Sequence, residues 1–304
     1  HNKCMDESIL IALRNCLLTR TSLESIPEDV WSRTSALNTW GTNAIEGNTL
    51  TWHDVALLLI EKRSIGNRPI SDVLETLQHE KAFRDLPQLT ARPITLETVL
   101  ELHEAVFRGV KQDAGVWRRV NVRITGSKHV PPRMEKVINE MEKMMGDYEG
   151  RDIDGENVFI LGTWFHHTFE SIHPFSDGNG RVGRLLLNLH FLKHNWPPIH
   201  IVPPDRDRYL DCMNRGHSGD LSCLVDFVTE LMARSTLDLL DQLGTAEDEL
   251  RPLKEIEGES GHSAEYLRLR AGQGKLPALK VSGDWHTSRR AIRLYRSTTG
   301  RGQD

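Results

Sequence analysis

Residues 173–184 read HPFSDGNGRVGR. An imidazole (His173), a carboxylate (Asp177), two glycines (Gly178 and Gly180) and two guanidiniums (Arg181 and Arg184) thus fall within twelve positions. Imidazole is the side chain best matched to taking a proton from a hydroxyl near neutral pH. Glycines let the backbone approach a ligand with no Cβ in the way. Arginines three apart share roughly one helical face, and their forked donors suit phosphate oxygens. An apolar-periodic run, LLLNLHFLKHNW, follows, so the glycines stand where a helix begins. Unpaired amides and the helix dipole make such a start an anion site. Asp177 would repel a phosphate there unless a cation intervenes, and Mg²⁺ shared between that carboxylate and phosphate oxygens removes the conflict. The set describes attack on a metal-bound nucleotide phosphate. Each part has a plainer use by itself: a helix-end histidine, a simple turn, arginines paired with surface acids. Their conjunction in this order is what favours chemistry.

The flanking segments predict the elements that hold this loop. ENVFILGTWFHHTFESIHPF reads as an apolar helix ending near Ile172, and the helix after the glycines carries a stripe of Leu185, Leu186, Leu189 and Leu192, stopped by Trp196-Pro197-Pro198. Upstream, EDVWSRTSALNTWGTNA, SDVLETLQHEKAFRDL and TLETVLELHEAVFRG have helical period. Thr51 is an N-cap with Asp54 in an approximate capping box, and PPRMEKVINEMEKMMGDY opens on first-turn prolines. VWRRVNVRITGSKHVPP (Val116–Pro132) alternates Val120, Val122 and Ile124 before a Thr125-Gly126-Ser127 turn and predicts a short β-hairpin, a flap over a site. GTAEDELRPLKEIEGESGH is polar and reads as a linker with an adjoining turn. Past it, a short helix with Tyr266, Leu267 and Leu269, two strands around Ser282-Gly283-Asp284, and a helix capped by Thr287 or Ser288 outline a winged helix.

The twelve residues resemble the signature of the Fic family, H-x-F-x-[DE]-G-N-G-R-x-x-R, at every specified position: His173, Phe175, Asp177, Gly178, Asn179, Gly180, Arg181 and Arg184. The resemblance spans about residues 25–240. It implies a mainly α fold, a Fic-type helical bundle with a small β-hairpin flap, to which the winged-helix-like domain is added. It also implies transfer of AMP from ATP to a Ser, Thr or Tyr hydroxyl of a protein. His173 would be the general base and Asp177 the Mg²⁺ ligand. Gly178, Asn179, Gly180 and Arg181 would hold the α- and β-phosphates and Arg184 the γ-phosphate. Phe175 would fix the loop, and the flap at about 120–128 would align the target by strand-like pairing. TNAIEGN, Thr42 to Asn48, is similar to the family's inhibitory motif. It implies a Glu46 carboxylate forked onto Arg184, denying that arginine to the γ-phosphate. In some members the same glutamate serves removal of AMP. The domains expected are 1–94 with the inhibitory motif, a core at 95–243, a linker at 244–260 and the winged-helix-like domain at 261–304.

Composition bounds the rest. The chain has 304 residues, 27% charged, and a net charge of -5. That charge is uneven: 261–304 carries +6 and the residues before it -11. A basic tail of this kind, with Arg289, Arg290 and Arg293 opening its last helix, offers a second reading as a DNA-binding regulator with the core as nucleotide sensor. A third is a different transfer, of phosphate or another nucleotide, which the complete pair of signature arginines disfavours. No apolar run is long enough to span a bilayer, and HNKCMDESIL does not read as a secretory signal. Cys4, Cys16, Cys212 and Cys223 form no CxxC pair and are expected as free thiols in a reducing cytoplasm. His190 and His194 have zinc-compatible spacing without a third ligand, and of the adjacent His166 and His167 at most one could face the site. The partners expected are ATP, a target protein, DNA through the tail and a second copy in a homodimer.

Overall fold

The computed structural model describes residues 5–299. The chain forms two compact units, one from Pro27–Asn195 with His200–Val225, the other from residues up to 26, 196–199 and from 226 onward. Helix α1 (Glu7–Leu18) lies in the second. The first holds α2 (Glu28–Ile45), α3 (Trp52–Val55), α4 (Ile70–Leu89), α5 (Leu96–Phe107), α6 (Val137–Ile153), α7 (Val158–Ile172), α8 (Asn179–Lys193) and α9 (Arg206–Gly216). Helix α10 (Ser222–Leu243) begins at its end. The second unit continues with β1 (Arg251–Pro252), α11 (Leu253–Ser260), α12 (Ala264–Gly272), β2 (Leu279–Val281), β3 (Asp284–Thr287) and α13 (Arg289–Thr298).

Helix α8 is the axis of the first unit. It packs against α7, α4, α5 and α2. The sequence predicts one leucine stripe, but Leu187, Asn188, His190 and Phe191 are buried as well. A helix covered on all sides has no solvent face to display. Its polar side chains must therefore find partners inside. His190 does so with both ring nitrogens, at 2.9 Å from the Tyr148 hydroxyl and 2.8 Å from the Val158 carbonyl, while His194 meets Asp152 at 2.7 Å. The two histidines are structural, and among the described residues no cluster suited to a metal ion occurs.

Local rules place the neighbours. Thr51 and Asp54 form the expected capping box on α3, after which residues 56–60 relax into a π-helical turn. The Asn157 side chain accepts from Phe159 and Ile160 N–H and starts α7. Pro131 and Pro132 stand before the first turn rather than within it: a short 3₁₀ turn at Met134–Lys136 leads into α6.

Three expectations are corrected. Among the described residues, 116–132 holds no strand. Gly126 turns the chain at φ +77° and Ser127 N–H bonds the Ile124 carbonyl, but the arms are tied by side chains instead of a ladder. The buried Arg118 guanidinium donates to the Val120 and Pro132 carbonyls, and Asn121 accepts from Met134 N–H. The stretch read as a linker carries β1 and α11, and β1 pairs with β3 at Arg251↔Thr287. Its apolar Leu253 and Ile256 are buried, which an extended tether would not allow. Finally, Cys212 and Cys223 are joined in a disulfide, because α9 and the start of α10 bring their Cα atoms to 5.2 Å. Cys16 is free and half-buried, and Cys4 lies outside the described residues.

In the second unit the order helix–helix–hairpin–helix is present. Ser282 and Gly283 take φ +52° and +91° at the β2–β3 turn, and Ser288 caps α13, whose Ile292 and Tyr295 face inward. Arg289, Arg290 and Arg293 are each engaged by an acid, Glu259, Asp248 and Glu247 respectively. Among the described residues no helix is long and apolar enough to cross a membrane.

Candidate active site

The loop between α7 and α8 is held from beneath. Helix α7 is capped by His173, in the left-handed region at φ 52° and ψ 60°. A side chain there is strained and needs surrounding support. Arg118 supplies it: its Nε donates to the His173 carbonyl at 2.8 Å and its backbone N–H to the Pro174 carbonyl at 3.0 Å. Phe175, fully buried, stacks on His103 with centroids 3.7 Å apart and on Trp117 at 5.1 Å. His103 Nδ1 accepts from Gly115 N–H at 2.8 Å, so the proton sits on Nε2, which donates to the Asp177 carbonyl at 3.1 Å. One histidine thus carries the aromatic anchor and ties the backbone of the acid.

His173 has a defined tautomer as well. Its Nδ1 lies 3.2 Å from the Glu170 carbonyl. A carbonyl only accepts, so Nδ1 carries the proton and Nε2 keeps its lone pair. Burial holds the ring below its ordinary pKa, against the opposing effects of the Glu170 carbonyl and of Glu46. The neutral, base-competent form therefore dominates at neutral pH.

His173, Asp177, Gly180, Arg184 and Glu46 line one cavity of about 540 Å³, together with Glu170, the tip of the flap (Arg123–Ser127) and the α9 face of Tyr209 and Met213. Arg184 and Asp177 are both engaged by opposite charges. Arg184, 5% exposed, donates from Nη2 to Glu46 Oε1 at 2.6 Å and from Nε to Thr42 Oγ1 at 2.6 Å. The expected fork onto Glu46 is thus shared: one prong goes to the carboxylate and one to the hydroxyl a helical turn earlier on α2. Asp177 pairs with Lys111 at 2.6 Å. Burial alone would raise the Asp177 pKa, but Lys111, Arg181 and the Gly178 N–H outweigh it and hold the carboxyl below its usual range.

The other predicted residues stand behind the cavity wall. Asn179 Nδ2 donates to the Phe175 carbonyl at 2.9 Å and its Oδ1 accepts from Phe175 N–H at 2.8 Å. Both ends of that buried amide are committed to the loop, so its side chain does not reach a ligand. Any part that Asn179 plays toward a phosphate would fall to its backbone N–H rather than to its side chain. Arg181 is buried, pairs with Glu75 at 2.5 Å and lies over the Phe107 ring. Gly178 is at φ +86°, and a Cβ there would strike Phe107. A Cβ on Gly180 would meet the Glu46 carboxylate and Arg184. Of α8's first turn, Asn179, Gly180 and Arg181 have amides with no carbonyl a turn behind them, which leaves those N–H groups for an anion.

Sequence reasoning named Thr42 only as the opening residue of the inhibitory motif, without its bond to Arg184, and missed Glu75, His103, Lys111, Arg118 and Glu170. The Thr42 bond could have been anticipated, since the residue precedes Glu46 by four and so shares its helical face. The others meet the loop only through the fold.

The mainly helical unit, with a glycine-rich loop opening a buried helix, is a fold that comparison places. Residues 93–191 match the Fic/DOC family profile. A protein adenylyltransferase Fic of Culex quinquefasciatus is 30% identical over 204 residues, covering 64% of this chain and 39% of that protein. One from Nematostella vectensis is 28% identical over 198 residues, covering 64% and 46%. The chain thus spans less than half the length of these curated relatives. A Fic domain-containing signaling protein from Bacteroides thetaiotaomicron shares the fold with a TM-score of 0.69 at 24% identity, over 76% of this chain and 97% of that one. A Fic family protein from Desulfovibrio desulfuricans does so at 0.63 and 20%, over 93% and 96%. Residues 93–191 thus match the Fic/DOC family on a Fic-type helical fold.

Proposed function

We propose that this chain is a protein adenylyltransferase restrained by its own Glu46. It moves AMP from ATP to a Ser, Thr or Tyr hydroxyl of a protein, itself included. The observation that carries this reading is the single cavity where the His173 imidazole, the Asp177 carboxylate, the α8 amides and Arg184 converge. The name borne by the curated relatives, protein adenylyltransferase Fic, supports it. The target oxygen would attack the α-phosphorus of ATP as its proton passes to His173 Nε2. The new O–P bond would form as the α–β P–O bond breaks, and pyrophosphate would leave. The flap tip lines the same cavity and would present the target segment beside His173.

Asp177 fits a magnesium role in this scheme. Its side chain is half-exposed at the cavity, and its charge is held by a lysine whose single point charge a cation could replace. One carboxylate suffices for Mg²⁺ when phosphate oxygens and water complete the shell. Bound there, the ion would neutralise phosphate charge. Arg184 can receive the γ-phosphate only after Glu46 leaves it, so the resting protein would accept ATP in a pose unsuited to in-line attack. A second reading, removal of AMP by water, is favoured by the position of the Glu46 carboxylate on the wall of the cavity that His173 shares. The DNA reading draws no comparable support, since the arginines of α13 are already paired.

Purified protein with labelled ATP and Mg²⁺ tests this. Glu46→Gly should raise self-labelling about tenfold or more, and His173→Ala in that background should lower it by ~10²–10⁴. Unchanged labelling in Glu46→Gly while ATP still binds would refute the restraint.

A further inference from the structure

Glu170 is a carboxylate that the scheme above does not use. It sits on α7, three residues before His173, and is 8% exposed. Its carboxyl lies against the backbone of α8 at Gly183, where any Cβ would collide with Oε1. The signature leaves position 183 open, but in this chain glycine makes the niche. Oε1 accepts no hydrogen bond, an uncommon state for a buried carboxyl oxygen. The side chain nevertheless lines the same cavity as Arg184 and Glu46.

The groups facing it are few. Arg184 approaches from α8, Glu46 from the end of α2 and Tyr209 from α9, with His166 and His173 on its own helix. Two acids therefore share one arginine, and only Glu46 is hydrogen-bonded to it. A second ionised carboxylate in that enclosure would have no partner of its own.

We infer that Glu170 is the reserve counter-ion of Arg184: protonated while Glu46 holds the arginine, ionised when Glu46 withdraws, and protonated again when a γ-phosphate arrives. Triphosphate binding to the released enzyme would then take one proton from solution onto the Glu170 carboxyl. Electrostatics support the cycle. Burial pushes the Glu170 pKa up to about 8, Arg184 works against that, and Glu46 reinforces it. Removing Glu46 takes away the repulsion and frees the arginine, so the midpoint falls from there toward neutrality. Glu170 thus acts as a positioning residue for Arg184 and makes acceptance of ATP pH-dependent. This inference rests on the proposed triphosphate site.

The test is calorimetric titration of Glu46→Gly with Mg-ATP between pH 6.5 and 9, in buffers of different ionisation enthalpy. Affinity should fall about three- to tenfold from pH 7 to pH 9, with net proton uptake on binding. AMP, which lacks the γ-phosphate, should show neither. Glu46→Gly/Glu170→Gln should bind ATP with a flat profile and no uptake. Equal slopes in the two variants, or the same slope for AMP, would overturn the inference. Should the double variant not fold, infrared difference spectra of Glu46→Gly decide: ATP must increase a protonated-carboxyl band, and no increase is fatal. Absence of ATP binding at every pH would remove the triphosphate reading itself, whereas binding without proton uptake removes only the role of Glu170.

Discussion

Two contrasting groups of arginine–carboxylate pairs in this protein differ in everything but chemistry. In the Fic-type unit, Arg181–Glu75 and Arg184–Glu46 hold guanidiniums whose side chains are only 5% and 6% exposed. On α13 of the other unit, Arg289–Glu259 and Arg293–Glu247 leave those of their arginines 32% and 62% exposed. Water and salt screen the second set, so each of its pairs contributes little. The first set is desolvated, so an arginine stripped of its acid there is costly and will seek another anion. A phosphate is such an anion. The same residue types are a solvated surface in one place and a spring-loaded anion site in the other.

Breaking the comparison at its strongest point means stranding a buried cation. Glu75→Ala should destabilise the protein by about 3–5 kcal/mol in urea unfolding, because Arg181 has no solvent to turn to. A loss under about 1 kcal/mol would show that Phe107 and neighbouring water suffice for it.

A sharper version uses pH. The Glu170 pKa is raised in the folded state relative to its ordinary 4.5, to about 8. The stability linked to it is present below the unfolded value and is lost as pH rises through that window. Wild type should therefore lose about 1 kcal/mol per pH unit relative to Glu170→Gln between pH 5 and pH 8. Parallel curves for the two proteins would mean that the carboxyl is solvated after all.

The smallest effect belongs to the exposed set. Arg293→Ala should change unfolding free energy by less than about 1 kcal/mol, and moderate salt should erase the difference. A larger, salt-insensitive loss would place that pair in the buried class.

Much of the loop between α7 and α8 is legible in the sequence alone. Capping at Thr51, the apolar helices on either side of the loop and the order His173–Asp177–Gly180–Arg184 depend on neighbours within a turn or two. The flap shows where that reasoning stops. Alternating Val120, Val122 and Ile124 look like strand, yet Arg118 and Asn121 claim the hydrogen bonds that a ladder would need. Asn179 shows the same limit at the site: the signature marks the residue, but only the fold reveals that its amide is spent on Phe175.

The sequence by itself determined which groups meet at the start of α8, because twelve consecutive residues around a helix boundary have little freedom in how they are presented. Tertiary structure alone decided what opposes them. Glu75 lies 106 residues from Arg181 and Glu46 lies 138 from Arg184, and no local pattern encodes contacts across such separations. The enclosure created by packing α2, α4 and α7 around α8 then sets the protonation of Glu170 and His173, since the cost of charge depends on the solvent that the fold removes.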